Sequence, residues 1–89
     1  MIGDNIIFIG RKDTMDYVTA VVTQFRSGSK EVVIKARGKA ISKAVDVAEI
    51  VRNRFIRDAT VKEVRIGTEH IAAADGETNV SSIEVVLER

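Results

Sequence analysis

The 89-residue sequence predicts an α/β two-layer sandwich with the order β-α-β-α-β-β and a C-terminal β-hairpin that protrudes from the body. Three observations predict it. Two short runs rich in β-formers each end at a glycine, two stretches with helical apolar spacing follow them, and two further β-rich segments flank Asp75-Gly76. At this length the chain makes one domain, residues 1–89, and buries only a little over ~60% of its unfolded surface, so association adds useful core.

Residues 5–9, Asn-Ile-Ile-Phe-Ile, form a continuous apolar run closed by Gly10 and read as a buried strand. Asp13 or Thr14 then caps a helix, because a short side-chain oxygen accepts from the free amides of a first turn. Met15, Val18, Val21, Val22 and Phe25 recur at helical spacing, and Gly28 supplies a left-handed stop. Residues 30–36 centre on Val32-Val33-Ile34 and read as a second buried strand, broken by Gly38.

Residues 39 to about 57 carry the longest helix. Ile41, Ala44, Val45, Ala48, Val51 and Phe55 form its stripe, and Val47 and Ile50 widen it. A stripe that wide predicts burial on two sides, one of them against a partner subunit. Residues 60–72 and 79–87 read as the strands of the hairpin, and Asp75-Gly76 is the dipeptide of a tight primed turn.

Composition narrows the function classes. With 45% hydrophobic and 30% charged residues the chain is globular rather than disordered, and with no cysteine it has neither disulfide nor thiolate metal site. The opening segment has neither the basic start nor the apolar stretch of a signal peptide, and no run approaches a membrane span. A cytoplasmic protein without membrane contact is expected. The net charge is only +1, but it is unevenly placed. Residues 1–57 hold 11 Lys and Arg against 6 Asp and Glu, whereas residues 58–89 hold 3 against 7. An anionic partner is expected to dock on the first two-thirds.

No catalytic constellation can be assembled. His70 is the sole histidine, and its neighbour Glu69 faces the opposite side of a strand. The glycines are isolated, unlike a phosphate-cradling loop. No enzyme activity, metal or cofactor is therefore expected. Cations, by contrast, gather at two places. Arg11 and Lys12 follow Gly10 at the first strand-helix junction, and Lys35, Arg37, Lys39 and Lys43 flank Gly38 at the second. If the two strands run parallel, both junctions lie at one sheet edge, where helix N-termini also favour phosphate.

The segments VIKARGKAISKAVD (residues 33–46) and EIVRNRF (residues 49–55) resemble the core of the Alba family of archaeal chromatin proteins. IIFIGRK and MDYV near the start and NVSSIEVVLER at the end agree, so the resemblance spans nearly the whole chain. It implies a fold like the C-terminal domain of translation initiation factor 3, and a homodimer that coats double-stranded DNA with little sequence preference and associates with the chromosome. It implies that Arg11, Lys12, Lys35, Arg37, Lys39 and Lys43 meet nucleic-acid phosphates, and that the hairpins act as arms. It also implies that Asn53, Arg54 and Phe55 form a contact between dimers, giving a higher assembly on DNA. For Phe55, a place in the ordinary core is the competing reading.

There are departures. Arg11 stands where the family carries an acetylated lysine, and arginine keeps its charge. The hairpin tip, with Asp75 and Glu77, is acidic where many relatives have arginine. RNA is the alternative partner, and duplex DNA and duplex RNA would use the same cations. An acylphosphatase-like enzyme needs a phosphate loop that Gly10-Arg11-Lys12-Asp13 does not reproduce. A structural oligomerisation module would leave the basic face without a role.

Overall fold

A computed structural model describes residues 5–73 and 76–89. Its elements run β1 (Ile6–Phe8), α1 (Thr14–Arg26), β2 (Glu31–Arg37), a 3-10 turn (Gly38–Ala40), α2 (Ile41–Ile50), a wider π turn (Val51–Phe55), β3 (Thr60–Ala73) and β4 (Gly76–Glu88). The strands form one sheet in the order β1-β2-β4-β3. β1 and β2 are parallel, and β4 runs antiparallel to both β2 and β3. Both helices pack on one face, which makes the expected two-layer β-α-β-α-β-β sandwich.

The period of two in β2 explains the core. Val32, Ile34 and Ala36 are buried toward the helices, while Glu31, Val33 and Lys35 point to the helix-free face. Val18, Val21, Val22 and Phe25 of α1 meet them, together with Ala44, Val47 and Ala48 of α2, Val51, and Val85 and Leu87 of β4. Val86 is also buried but lies outside this cluster, on the opposite face beside Val33. The rows next to Val86 are ion pairs. Lys62 Nζ lies 2.8 Å from Glu31 and 3.8 Å from Glu88, and Arg65 lies 2.6 Å from Glu63 and 3.6 Å from Glu84. A bulge between Val61 and Glu63 puts both Lys62 and Glu63 on this face.

Four local expectations are corrected. The first strand is not buried throughout: β1 is a three-residue edge strand, and the Phe8 ring is 69% exposed. Helices cover only one face of the sheet, so alternate residues of a continuous apolar run must face away from them. In α1, Asp13 is the cap residue, but its side chain makes no capping bond; its carbonyl instead accepts from the Asp16 amide at 3.0 Å. Met15, expected in the stripe, is exposed. The second helix is composite rather than uniform from 39 to 57. It tightens at Gly38–Ala40 and widens at Val51–Phe55, where the Ile56 amide reaches back five residues to the Val51 carbonyl at 2.7 Å.

Beyond the bulge the hairpin pairs without interruption, from Val64 facing Val85 to Ala73 facing Gly76. β2 ends where Arg37 meets Ser82, so beyond that row β3 and β4 form a two-stranded arm. Asp75 of the predicted turn lies outside the described residues; Gly76 opens β4 with a positive φ of 128°. The molecule measures 45 × 25 × 19 Å, elongated by this arm.

Candidate nucleic-acid interface

Because β1 and β2 are parallel neighbours, their C-terminal ends lie side by side, and each chain segment then turns into a helix. The two junctions named from the sequence therefore meet. Arg11, Arg37, Lys39 and Lys43 line one shallow depression with Ile9, Gly10 and Ala40, and among the described residues no carboxylate lines it. Lys12 is exposed on the same loop as Arg11. α1 begins at this end of the sheet, and the N-terminal end of its dipole adds partial positive charge.

Gly38 makes the second junction possible. Its φ of 59° is left-handed, and a β-carbon there would stand 3.3 Å from Cγ1 of Val80. The chain thus reverses tightly between Arg37 and Lys39 and sets both side chains at the rim.

The six cations are not equivalent. Lys35 stands on the helix-free sheet face, with its ammonium 5.7 Å from the centre of the Phe8 ring and 4.0 Å from Glu84. It lines a separate hollow that also contains Glu69 and Glu84. Arg37 borders both hollows and donates to Glu69 at 3.3 Å. Lys43 turns inward: its ammonium donates to the carbonyls of Gly10 at 3.0 Å and Lys12 at 2.7 Å. Tyr17 was missed in the sequence; its hydroxyl accepts the amides of Gly10 at 2.9 Å and Lys12 at 3.1 Å. No local signal marks it, since a tyrosine in the first turns of a helix has no special meaning until the loop folds over it.

Asn53, Arg54 and Phe55 are all exposed in the π turn, at the opposite end of the second helical segment from Gly38. That separates them from the cationic junction by roughly 20 Å at 1.5 Å per residue. Phe55 is 41% exposed, which removes it from the core.

A third feature is apolar. Helices cover β1, β2 and β4 but stop short of β3, so the helix-side residues of β3 remain open. Val61, Val64 and Ile66 are 42%, 53% and 84% exposed. Ile41 of α2 and Ile83 of β4 adjoin Ile66 in a shallow groove, and Val45 of α2 is exposed as well. Among the described residues no group of three or more metal-ligating side chains occurs, and no helix is long and apolar enough to cross a membrane.

Fold and site together define a small two-layer α/β protein with a cationic edge and an open apolar strand. Residues 5–68 match the Alba family model, and the chain belongs to the Alba family. It is 59% identical over 87 residues to the DNA/RNA-binding protein Alba of Methanothrix thermoacetophila, covering 98% of each chain. It is 57% identical over 89 residues to the protein of the same name from Thermoplasma volcanium, covering all of both. The solved structure of Alba from Thermoplasma volcanium superposes with a TM-score of 0.93 at 59% identity, covering 96% of this chain and 100% of that one. ALBA1 from Trypanosoma brucei, at 24% identity and a TM-score of 0.81, shares the fold; this chain covers 72% of it.

Proposed function

We propose that the protein binds duplex nucleic acid through backbone phosphates at the junction of β1-α1 and β2-α2, as a homodimer that coats and packages chromosomal DNA. The observation that carries this reading is the depression lined by Arg11, Arg37, Lys39 and Lys43 without a carboxylate among the described residues. Cations grouped at helix N-termini suit phosphate and do not depend on base identity. The names of the similar archaeal proteins, DNA/RNA-binding protein Alba, support nucleic acid as the partner class, and RNA is the second reading on the same ground. The protein acts by binding and needs no cofactor.

The apolar strip of Val61, Val64 and Ile66 supports the homodimer, since a small subunit gains core by covering it. Asn53, Arg54 and Phe55 serve contact between dimers. The junction rather than the arm holds the phosphates, because Glu77 near the arm's end is exposed and would meet a groove of negative potential.

A salt titration on duplex DNA, duplex RNA and single strands tests the reading. Four outward cations per subunit (Arg11, Lys12, Arg37, Lys39) predict a slope of log affinity against log salt of about −3.6 per subunit on B-DNA. Lys39→Ala should flatten it by about one unit and weaken all duplex sequences alike. Affinity indifferent to salt, or loss confined to one sequence, would overturn the proposal.

A further inference from the structure

We propose that Tyr17 and Lys43 are positioning residues that brace the Gly10–Lys12 loop from within, so that Arg11 and Lys12 are held outward before any nucleic acid arrives. This rests on the phosphate-binding reading above and deepens it: Lys43 serves the site through the loop rather than through a phosphate of its own.

The loop's backbone is held at alternate residues. Gly10 and Lys12 each donate their amide to the Tyr17 hydroxyl, at 2.9 and 3.1 Å, and each accept at their carbonyl from the Lys43 ammonium, at 3.0 and 2.7 Å. Four main-chain groups of a surface loop, which would otherwise be left to water, are thus satisfied by two side chains. The two bracing groups also meet each other, the Lys43 ammonium lying 5.9 Å from the centre of the Tyr17 ring. The bonds from Lys43 are charge-assisted and therefore the stronger pair.

Glycine at position 10 is part of the device. A β-carbon there would come within 3.3 Å of the Tyr17 hydroxyl, so a side chain would press on the atom that accepts both amides. With residues 10 and 12 pinned inward by their peptide groups, Arg11 between them is exposed and lines the cationic depression beside Arg37 and Lys39. Lys12 is exposed as well, although its amide and carbonyl are both held. Backbone order is established on folding and does not have to be established on binding, which is what preorganisation contributes to affinity. Lys43 comes from α2, so the brace also joins the first junction to the second and sets the spacing between their cations.

The test combines a measurement on the free protein with a binding cycle. Tyr17→Phe removes the acceptor without changing charge, and Lys43→Met removes the ammonium while keeping the chain length. In the free protein, amide hydrogen exchange at Gly10 and Lys12 should speed up by about tenfold or more in Tyr17→Phe, with the core amides of β2 unchanged. On duplex DNA, Tyr17→Phe should flatten the salt slope by about one unit although it removes no charge, because Arg11 and Lys12 lose their placement. In an Arg11→Ala, Lys12→Ala background, neither Tyr17→Phe nor Lys43→Met should weaken binding further. Unchanged exchange in Tyr17→Phe would overturn the brace itself. Lys43→Met weakening that background as much as the wild type would make Lys43 a direct phosphate contact and overturn its positioning role. If Arg11→Ala, Lys12→Ala binds like the wild type, the phosphate reading of that loop fails, whatever the exchange rates show.

Discussion

Gly38 sits between two of the cations that line the junction, and its left-handed backbone is a requirement no other residue meets without strain. Gly38→Ala forces a β-carbon into that conformation and toward Val80, so it should cost about 1–2 kcal/mol in denaturant unfolding. A neutral result would mean the turn relaxes freely. Charge on the helix-free face is subtler. The hydrogen bond from Arg65 holds the Glu63 carboxyl below its ordinary value of 4.5, and the bond to Glu31 raises Lys62 above its ordinary 10.5. A depressed carboxyl stabilises the fold above its unfolded value and loses that effect as pH falls through its folded one. Glu63→Gln should therefore melt below the wild type at neutral pH, with the gap closing as pH drops beneath 4.5. The pair is exposed, so the gap should also be small and shrink with salt. A gap that widens on acidification would contradict the ion pair.

The second helical segment shows how an element changes role along its length. Its first turn presents Lys39 and Lys43 to the junction, its middle buries Ala44, Val47 and Ala48, and its π turn leaves Asn53, Arg54 and Phe55 in solvent. The last turn widens where the buried stripe reaches Val51, and beyond it Phe55 is half exposed while the next residue, Ile56, is buried. A buried phenylalanine truncated to alanine costs about 3–5 kcal/mol; at Phe55, half out of the fold, the cost should be on the order of 1 kcal/mol. Phe55→Ala should keep its affinity for a short duplex and lose cooperative coating of a long one, read by titrating both. A large fall in melting temperature with cooperativity intact would return Phe55 to a structural role.

As a whole the molecule presents three separate surfaces: a cationic edge, an apolar strand and an exposed turn at the far end of the helix. In the function proposed above, one face binds a polyanion while another binds a second subunit. Ile66 is the sharpest probe of the second face, because at 84% exposure it contributes little to a single chain. Ile66→Asp should leave the circular dichroism of the fold intact and shift sedimentation from a dimer toward the 9.8 kDa chain. A wild-type protein that sediments as one chain at micromolar concentration would leave the apolar strand without this partner.

The order of the elements, the strand and helix periods, the glycine stops and the grouping of cations at two junctions were all legible in the sequence, because each is a local property of a few neighbouring residues. Parallel pairing of β1 and β2 then brings Arg11 to Arg37 and Lys39 but leaves Lys35 in a separate hollow. What only the tertiary structure decided is which face of each element is covered. Residues 5–9 read as buried, yet β1 is an edge and Phe8 faces out. Residues 60–72 read as a hairpin strand without a stated face, and the helices stop before reaching its Val61, Val64 and Ile66. Lys43 reads as one surface cation among six, yet its ammonium is held by two carbonyls from a loop more than thirty residues away in sequence. Periodicity records the side on which a residue stands relative to its neighbours, and composition records its charge. Neither records what comes to lie against that side, since that depends on contacts formed only once distant segments have packed.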